Sequence, residues 1–251
     1  MGMVRILHLS DVHAPRRPDQ LVRGQYSDQN LQRVLGAALK FPIDAVIVTG
    51  DLVDSGQTEG YERLRRTFKA LNVPVRCVPG NHDAPAALRR CEPTWLDPLE
   101  LDRWLIVPID SHWPEHDAGF VTDAELARVD ALTTGHPASY IVLALHHPPM
   151  APCRARDCTL SNPAQLIAFT RRRRRTRVVL SGHQHQPFVI VADGVTFIGA
   201  PSTCVQAAHS EDHFIVTADP PGCQIVTLKP NGTATAGLLW ATAMSVRSSP
   251  P

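Results

Sequence analysis

Five short polar motifs, each following an apolar run, constrain this chain more than any other feature. They read Asp11-Val12-His13, Gly50-Asp51, Gly80-Asn81-His82-Asp83, His146-His147-Pro148 and Gly182-His183-Gln184-His185. The runs ahead of them cover Val4–Leu9, Ala45–Thr49, Val75–Val78, 140–145 and 178–180. Short apolar runs bounded by polar or turn residues read as buried strands. Ligands of open α/β sheets gather at the carboxyl ends of strands. The motifs are therefore expected along one edge of the fold. Taken singly, each has a plain structural reading: Asp after Ser or Gly caps a turn, Gly-Asn-His-Asp is a polar loop, and His-His-Pro-Pro is a turn. Repeated at equivalent positions, always with metal-ligand residue types, they call for a common chemical reason. Carboxylates, imidazoles and one amide oxygen make a donor set for two divalent cations. Hard oxygens mixed with imidazole suit manganese, iron, zinc or cobalt better than magnesium or calcium.

Helical patterns separate the first strands. Residues 30–39 and 61–71 carry apolar side chains at three-and-four spacing. Thr122-Asp123-Ala124-Glu125 is a capping box opening a helix to Leu132. Asn162-Pro163 reads as an N-cap followed by proline at the first helical position, with the helix running to Arg172. Strand-helix alternation is the α/β pattern. After His185 the short runs 188–191, 195–198, 214–217, 224–228 and 238–243 are separated by turns such as Asp193-Gly194 and Asn231-Gly232. That predicts an antiparallel meander forming a second sheet packed on the first. Residues 1–244 are expected to form a single domain, with 245–251 a frayed tail.

The 251 residues suffice for one large core, and 43% apolar with 20% charged residues is ordinary for a globular protein. A net charge of +1 gives no global field toward nucleic acid or membrane. No apolar run approaches the roughly 20 residues of a spanning helix. Met1-Gly2-Met3-Val4-Arg5 lacks a secretory signal pattern, so a cytoplasmic location is expected. The six cysteines, Cys153 and Cys158 included, lack CxxC spacing and read as thiols in such a protein. The run Arg171 to Arg175 reads as a helix C-terminus, where cations are favoured, rather than as a nucleic-acid patch.

The ordered pattern DxH, GD, GNHD, HHP and GHxH across residues 11 to 185 resembles the calcineurin-like metallophosphoesterases. The resemblance implies a four-layer α/β/β/α sandwich of two packed mixed β-sheets flanked by helices. It implies that Asp11, His13 and His185 hold one metal, that Asn81, His146 and His183 hold the other, and that Asp51 bridges both. It casts His82 as proton donor to the leaving oxygen, with Asp83 orienting it and His147 behind the ligands. The implied reaction is in-line attack on phosphorus by a hydroxide bridging cations about 3.5–4 Å apart.

The stretches Ile6 to His13, His146 to Met150 and Gly199 to Cys204 are similar to the class III cyclic-nucleotide phosphodiesterase branch, which includes glycerophosphodiesterases. The expected substrate is a small phosphodiester, 3′,5′-cyclic nucleotides (cyclic AMP) first. A broad-specificity glycerophosphodiesterase or a phosphomonoesterase with the same core is the alternative. A nuclease would be expected to carry further domains, a lipid enzyme an amphipathic insert, and a non-catalytic scaffold to have lost ligands. Arg16, in a loop over 14–27 with Arg17 and Arg23, together with His147 and His209, is a candidate substrate contact. His213 heads an apolar run and reads as structural. Neither a nucleic-acid polymer nor a membrane is an expected partner. The resemblance allows a homodimer or higher homo-oligomer, with the region after Gly199 or the stretch 92–104 as its surface; packing under a loop explains Trp95 and Trp104 equally well.

Overall fold

Strands Val4–Leu9 (β1) and Ala45–Thr49 (β2) are apolar on both faces because both faces are covered. They belong to a computed structural model that describes residues 2–153, 157–210 and 213–241. Helix α1 (Ser27–Ala38) lies between them, and α2 (Thr58–Lys69), β3 (Val75–Val78) and α3 (Pro85–Cys91) follow. Next come β4 (Leu99–Leu101), β5 (Trp104–Pro108), α4 (Asp123–Thr133), β6 (Tyr140–Ala144), α5 (Pro163–Arg172) and β7 (Thr176–Ser181). The remainder is β8 (Phe188–Ala192), β9 (Val195–Gly199), β10 (Ala207–Ser210), β11 (His213–Val216), β12 (Gly222–Leu228) and β13 (Ala234–Trp240).

One sheet has five strands in the order β13-β12-β1-β2-β3, and the other has six in the order β4-β5-β6-β7-β9-β8. The middle layer is the seam between them. Ile6, Ile47 and Val226 of the first sheet meet Trp104, Ile106, Val142, Val178 and Ile198 of the second. On the outer face of the first sheet, Leu7, Leu9 and Val48 pack under Leu31, Leu35, Tyr61, Leu64 and Phe68 of α1 and α2. On the outer face of the second, Val107, Leu143 and Val179 pack under Val129, Leu166 and Phe169 of α4 and α5. The result is the expected four-layer α/β/β/α sandwich of mixed sheets.

The meander expected after His185 is corrected. Those strands do not form one sheet together. β8 and β9 extend the second sheet, with β9 parallel to β7, while β12 returns to pair antiparallel with β1 and β13 pairs antiparallel with β12 at the edge. Only β10 and β11 stand apart, as a hairpin. Turn residues specify a hairpin locally but not which edge it joins. Strands β4, β5 and β10 and helix α3 have no counterpart in the sequence reading. Trp104 is buried in β5, and Trp95 packs edge-on against Phe68 at 6.1 Å, so both serve the core rather than a subunit contact.

Two smaller readings also change. Cys153 and Cys158 are disulfide-bonded, with Cα atoms 6.2 Å apart, whereas Cys77, Cys91, Cys204 and Cys223 are thiols. Their spacing, five positions apart, did not signal the bond. Asn162 precedes α5 but leaves its end uncapped; its amide instead bonds Val121, accepting from its N–H at 3.1 Å and donating to its carbonyl at 2.7 Å. Thr122 does cap α4, accepting from the Glu125 N–H at 3.1 Å. The arginine run is absorbed by the fold. Arg171 pairs with Asp193, Arg173 with Asp130, and Arg175 donates to the carbonyls of Thr133, His136 and Ala138 just after α4. The tail 245–251 lies outside the described residues. Among those residues no helix is long and apolar enough to cross a membrane.

Candidate metal centre and catalytic site

Register brings the motif loops level. Leu9 pairs with Val48 and Thr49 with Val78 in the first sheet, and Ala144 pairs with Leu180 in the second. The loops are then tied together, by Asp11 N–H to the Gly50 carbonyl at 3.1 Å, His13 N–H to Asp51 at 2.8 Å, and Gly182 N–H to His146 at 2.9 Å. Asp11, His13, Asp51, His183 and His185 all adopt positive φ, between 49° and 70°. For residues other than glycine that conformation costs roughly 1–2 kcal/mol each. Strain recurring after three strands, β1, β2 and β7, is what a site held by its surroundings looks like.

Gly50 shows how closely the backbone packs here. Its φ is +89°, and a Cβ on it would stand 2.4 Å from His146 Nδ1. Gly50→Ala is therefore expected to displace the His146 ring and lower the purified protein's metal content, as measured by elemental analysis. Wild-type metal content in this variant would contradict the packing argument.

All seven sequence-predicted ligands converge. The ligand atoms of Asp11, His13 and His185 lie within 4.8 Å of one another, as do those of Asp11, Asp51 and His146. His13 Nε2 faces His185 Nε2 at 3.2 Å, and His146 Nε2 faces His183 Nδ1 at 3.2 Å and Asn81 Oδ1 at 3.2 Å. Asp51 Oδ2 sits 3.5 Å from both His13 Nε2 and His146 Nε2, and Asp11 Oδ1 is 3.4 Å from His185 Nε2.

The outer nitrogens explain this crowding. His146 Nδ1–H donates to the Thr49 carbonyl at 2.6 Å, His185 Nδ1–H to Val205 at 2.6 Å, and His183 Nε2–H to Asp157 at 2.7 Å. His13 Nδ1 faces Asp54 Oδ1 at 3.4 Å. A neutral imidazole donates from one nitrogen only, so the inner nitrogens of His13 and His185 present lone pairs to each other, and His183 turns its lone pair toward His146. A cation between them resolves that repulsion, and outward donors to oxygen are the usual supports of metal-ligating imidazoles. The residues present fit divalent metal.

Electrostatics agree. Burial alone would raise Asp11 and Asp51, but the imidazoles of His185 and His146 hold these carboxyls below their ordinary range. Burial pushes His13 and His183 down to about 4, which keeps both imidazoles unprotonated at neutral pH. His146 is the exception: burial opposes its charge, yet the Asp51 carboxylate raises it to about 9. An entering cation would displace that proton.

Four sequence expectations change. Asp83 does not orient His82. It points into the protein and accepts from the N–H groups of Gly80, Leu52 and Val53 at 2.8, 3.2 and 3.3 Å and from Tyr61 OH at 2.9 Å. His82 is held instead by the Asp54 carbonyl, which accepts from Nδ1–H at 2.7 Å. His147 is fully buried, with Nδ1 on Ser111 Oγ at 2.9 Å and Nε2 on the Asp117 carbonyl at 3.0 Å, leaving no atom for substrate. His209 donates to the Gln184 carbonyl at 2.7 Å and sits 3.6 Å from Cys158 Sγ, so it braces the His183–His185 loop. Arg16 is 71% exposed and paired with Glu59. The sequence reading passes over Asp54 and weighs Arg23 together with Arg16 and Arg17, as cations that could meet the substrate phosphate or as solvated loop charge. Asp54 had a signal, three residues after Asp51 in Gly-Asp-Leu-Val-Asp; Arg23 had none that set it apart from Arg16 and Arg17.

A sandwich that gathers carboxylates and imidazoles at the strand ends of both sheets defines a metal-dependent hydrolase. A dimetal phosphatase from Danio rerio shares this fold, with a TM-score of 0.63 at 14% identity, over 95% of this chain and 99% of that one. The chain belongs to the calcineurin-like phosphoesterase family, whose model matches residues 4–187. It is 27% identical over 241 residues to a 3′,5′-cyclic-nucleotide phosphodiesterase from Nostoc sp., covering 92% of this chain and 90% of that one. It is 26% identical over 241 residues to the 3′,5′-cyclic adenosine monophosphate phosphodiesterase CpdA of Escherichia coli K12, covering 92% and 88%.

Proposed function

We propose that this chain hydrolyses small phosphodiesters, 3′,5′-cyclic nucleotides first, as a cytoplasmic enzyme. The carrying observation is the set of inward-facing lone pairs divided around Asp51. In this reading Asp11, His13 and His185 hold one divalent cation, Asn81, His146 and His183 hold the other, and Asp51 touches both. Imidazole with carboxylate favours manganese, iron, zinc or cobalt. Bound there, the metals would supply a hydroxide nucleophile at neutral pH and offset phosphoryl charge. The substrate assignment draws on the cyclic-nucleotide relatives, which align along nearly the whole chain.

His82 carries the protein's own chemistry. With Nδ1–H fixed on the Asp54 carbonyl, Nε2 is the end of the ring that faces the site, and in this reading the imidazolium gives its Nε2 proton to the leaving alkoxide. His82→Ala is expected to lower kcat for cyclic AMP about 10²- to 10⁴-fold, the usual range for removing a general acid. Bis(4-nitrophenyl) phosphate, whose leaving group needs no proton, should lose far less. Equal losses on both substrates would remove His82 from that role. The reading as a whole is tested with cyclic nucleotides, bis(4-nitrophenyl) phosphate, glycerophosphodiesters and phosphomonoesters against protein loaded with each of the named metals. Absence of diester hydrolysis under all of them would refute it, and preference for glycerophosphodiesters would move the substrate to the broad-specificity alternative.

A further inference from the structure

Arg23 occupies a position that suits its backbone poorly. Val22 and Gln25 exchange backbone hydrogen bonds of 2.9 Å in both directions, closing a two-residue turn. Both central residues have positive φ, 48° at Arg23 and 79° at Gly24. Such a turn favours Asn, Asp or Gly at its first central position, and a long side chain there is strained. The neighbouring arginines are spent elsewhere: Arg16 pairs with Glu59 and Arg17 with Asp19, all of them well exposed.

The strained turn delivers the Arg23 guanidinium onto the site, with its side chain 28% exposed. Nη1 donates to Asp54 Oδ1 at 3.2 Å and lies 3.5 Å from His13 Nδ1. The guanidinium carbon stands 5.7 Å from the centroid of the Phe214 ring on the β10–β11 hairpin. Nη2 comes to 3.5 Å from His82 Nε2. That separation is long for a hydrogen bond, and when Nε2 is protonated both groups are donors. The two atoms border the same point in the cleft, where an anionic oxygen would accept from both, the charge-assisted arrangement in which a guanidinium binds phosphate best.

We propose that Arg23 contacts the substrate, donating through Nη2 to a phosphoryl oxygen beside the leaving oxygen that His82 serves. This rests on the phosphoesterase reading of the same site and adds a protein cation to its binding of phosphate. Asp54 positions both partners, His82 through its carbonyl and Arg23 through its carboxylate.

The strain makes the test direct. Arg23→Asn suits the turn, Arg23→Lys keeps the charge without the planar fork, and Arg16→Ala is a control away from the site. Each metal-loaded protein is compared with wild type for metal content, thermal midpoint, inorganic phosphate affinity by calorimetry, and kcat/KM on bis(4-nitrophenyl) phosphate. Arg23→Asn should keep its metal and match or exceed the wild-type midpoint, while phosphate affinity and kcat/KM both fall about 10- to 100-fold, the range for losing a hydrogen bond to a charged group. Arg23→Lys should fall between, and Arg16→Ala should match wild type. Unchanged phosphate affinity and kcat/KM in Arg23→Asn would overturn the proposal. So would a drop in midpoint and metal content that accounts for the weaker binding, since that marks a structural role. If the wild type hydrolyses no diester, the functional reading fails, yet the phosphate measurement still decides Arg23.

Discussion

Asp51→Asn is expected to cut diester hydrolysis by at least about a thousandfold, the scale of removing a preorganised charge-stabilising group, and to leave at most one metal per chain. Asp51 Oδ2 stands at 3.5 Å from an imidazole in each half of the site, His13 and His146, so this carboxylate oxygen lies between the two halves. Its other oxygen accepts from the His82 N–H at 3.0 Å, which keeps the carboxylate plane fixed. The amide conserves volume and one acceptor, so the fold should survive. What disappears is the negative charge that holds His146 protonated in the metal-free protein and that a cation would exploit. Elemental analysis of the purified variant beside its steady-state rate measures both effects. Two tightly held metals with near-normal turnover in Asp51→Asn would show that this carboxylate does not bridge.

The second large effect is on stability. Asp83→Ala is expected to cost roughly 3–5 kcal/mol, because removing a buried acceptor leaves each donor with a desolvation penalty of about 1–3 kcal/mol, partly relieved by relaxation. The donors are the N–H groups of Gly80, Leu52 and Val53 and the Tyr61 hydroxyl, which itself accepts from the Ala84 N–H at 2.8 Å. Asp83 thus joins the loops after β2 and β3 to helix α2. With total stability of about 5–15 kcal/mol typical of a domain, the variant should melt far below wild type or fail to fold. Tyr61→Phe removes one donor and should cost less. Thermal denaturation separates this role from the one its sequence position suggested. An orienting partner of His82 would alter the pH dependence of kcat and leave the midpoint alone. A wild-type midpoint in Asp83→Ala would restore that older reading.

Asp83 illustrates where sequence adjacency misleads. It follows His82 directly, but the chain turns between them, and His82 reaches back 28 residues to the Asp54 carbonyl. Arg16 and Arg23 make the same point within one loop. Composition cannot separate them, and only the turn at Val22–Gln25 selects which guanidinium reaches the site. His147 and His209 looked like substrate contacts because histidine near a ligand motif draws suspicion. Both prove occupied, by Ser111 and Asp117 in one case and by Gln184 and Cys158 in the other.

Features with a local cause were legible in the order of residues. An apolar run of four to six residues makes β1, β2 and β3 where they were expected, and a polar motif after each places ligand types at the strand end. The donor set, and with it the phosphoesterase class, follows from those motifs. Long-range packing sets which sheet each late strand joins, that Cys153 and Cys158 are bonded, and which groups orient the imidazoles. These depend on contacts between segments far apart in sequence, such as Thr49 with His146 or Asp11 with His183, and such contacts exist only once both sheets have packed along Ile6, Ile47, Val142 and Val178.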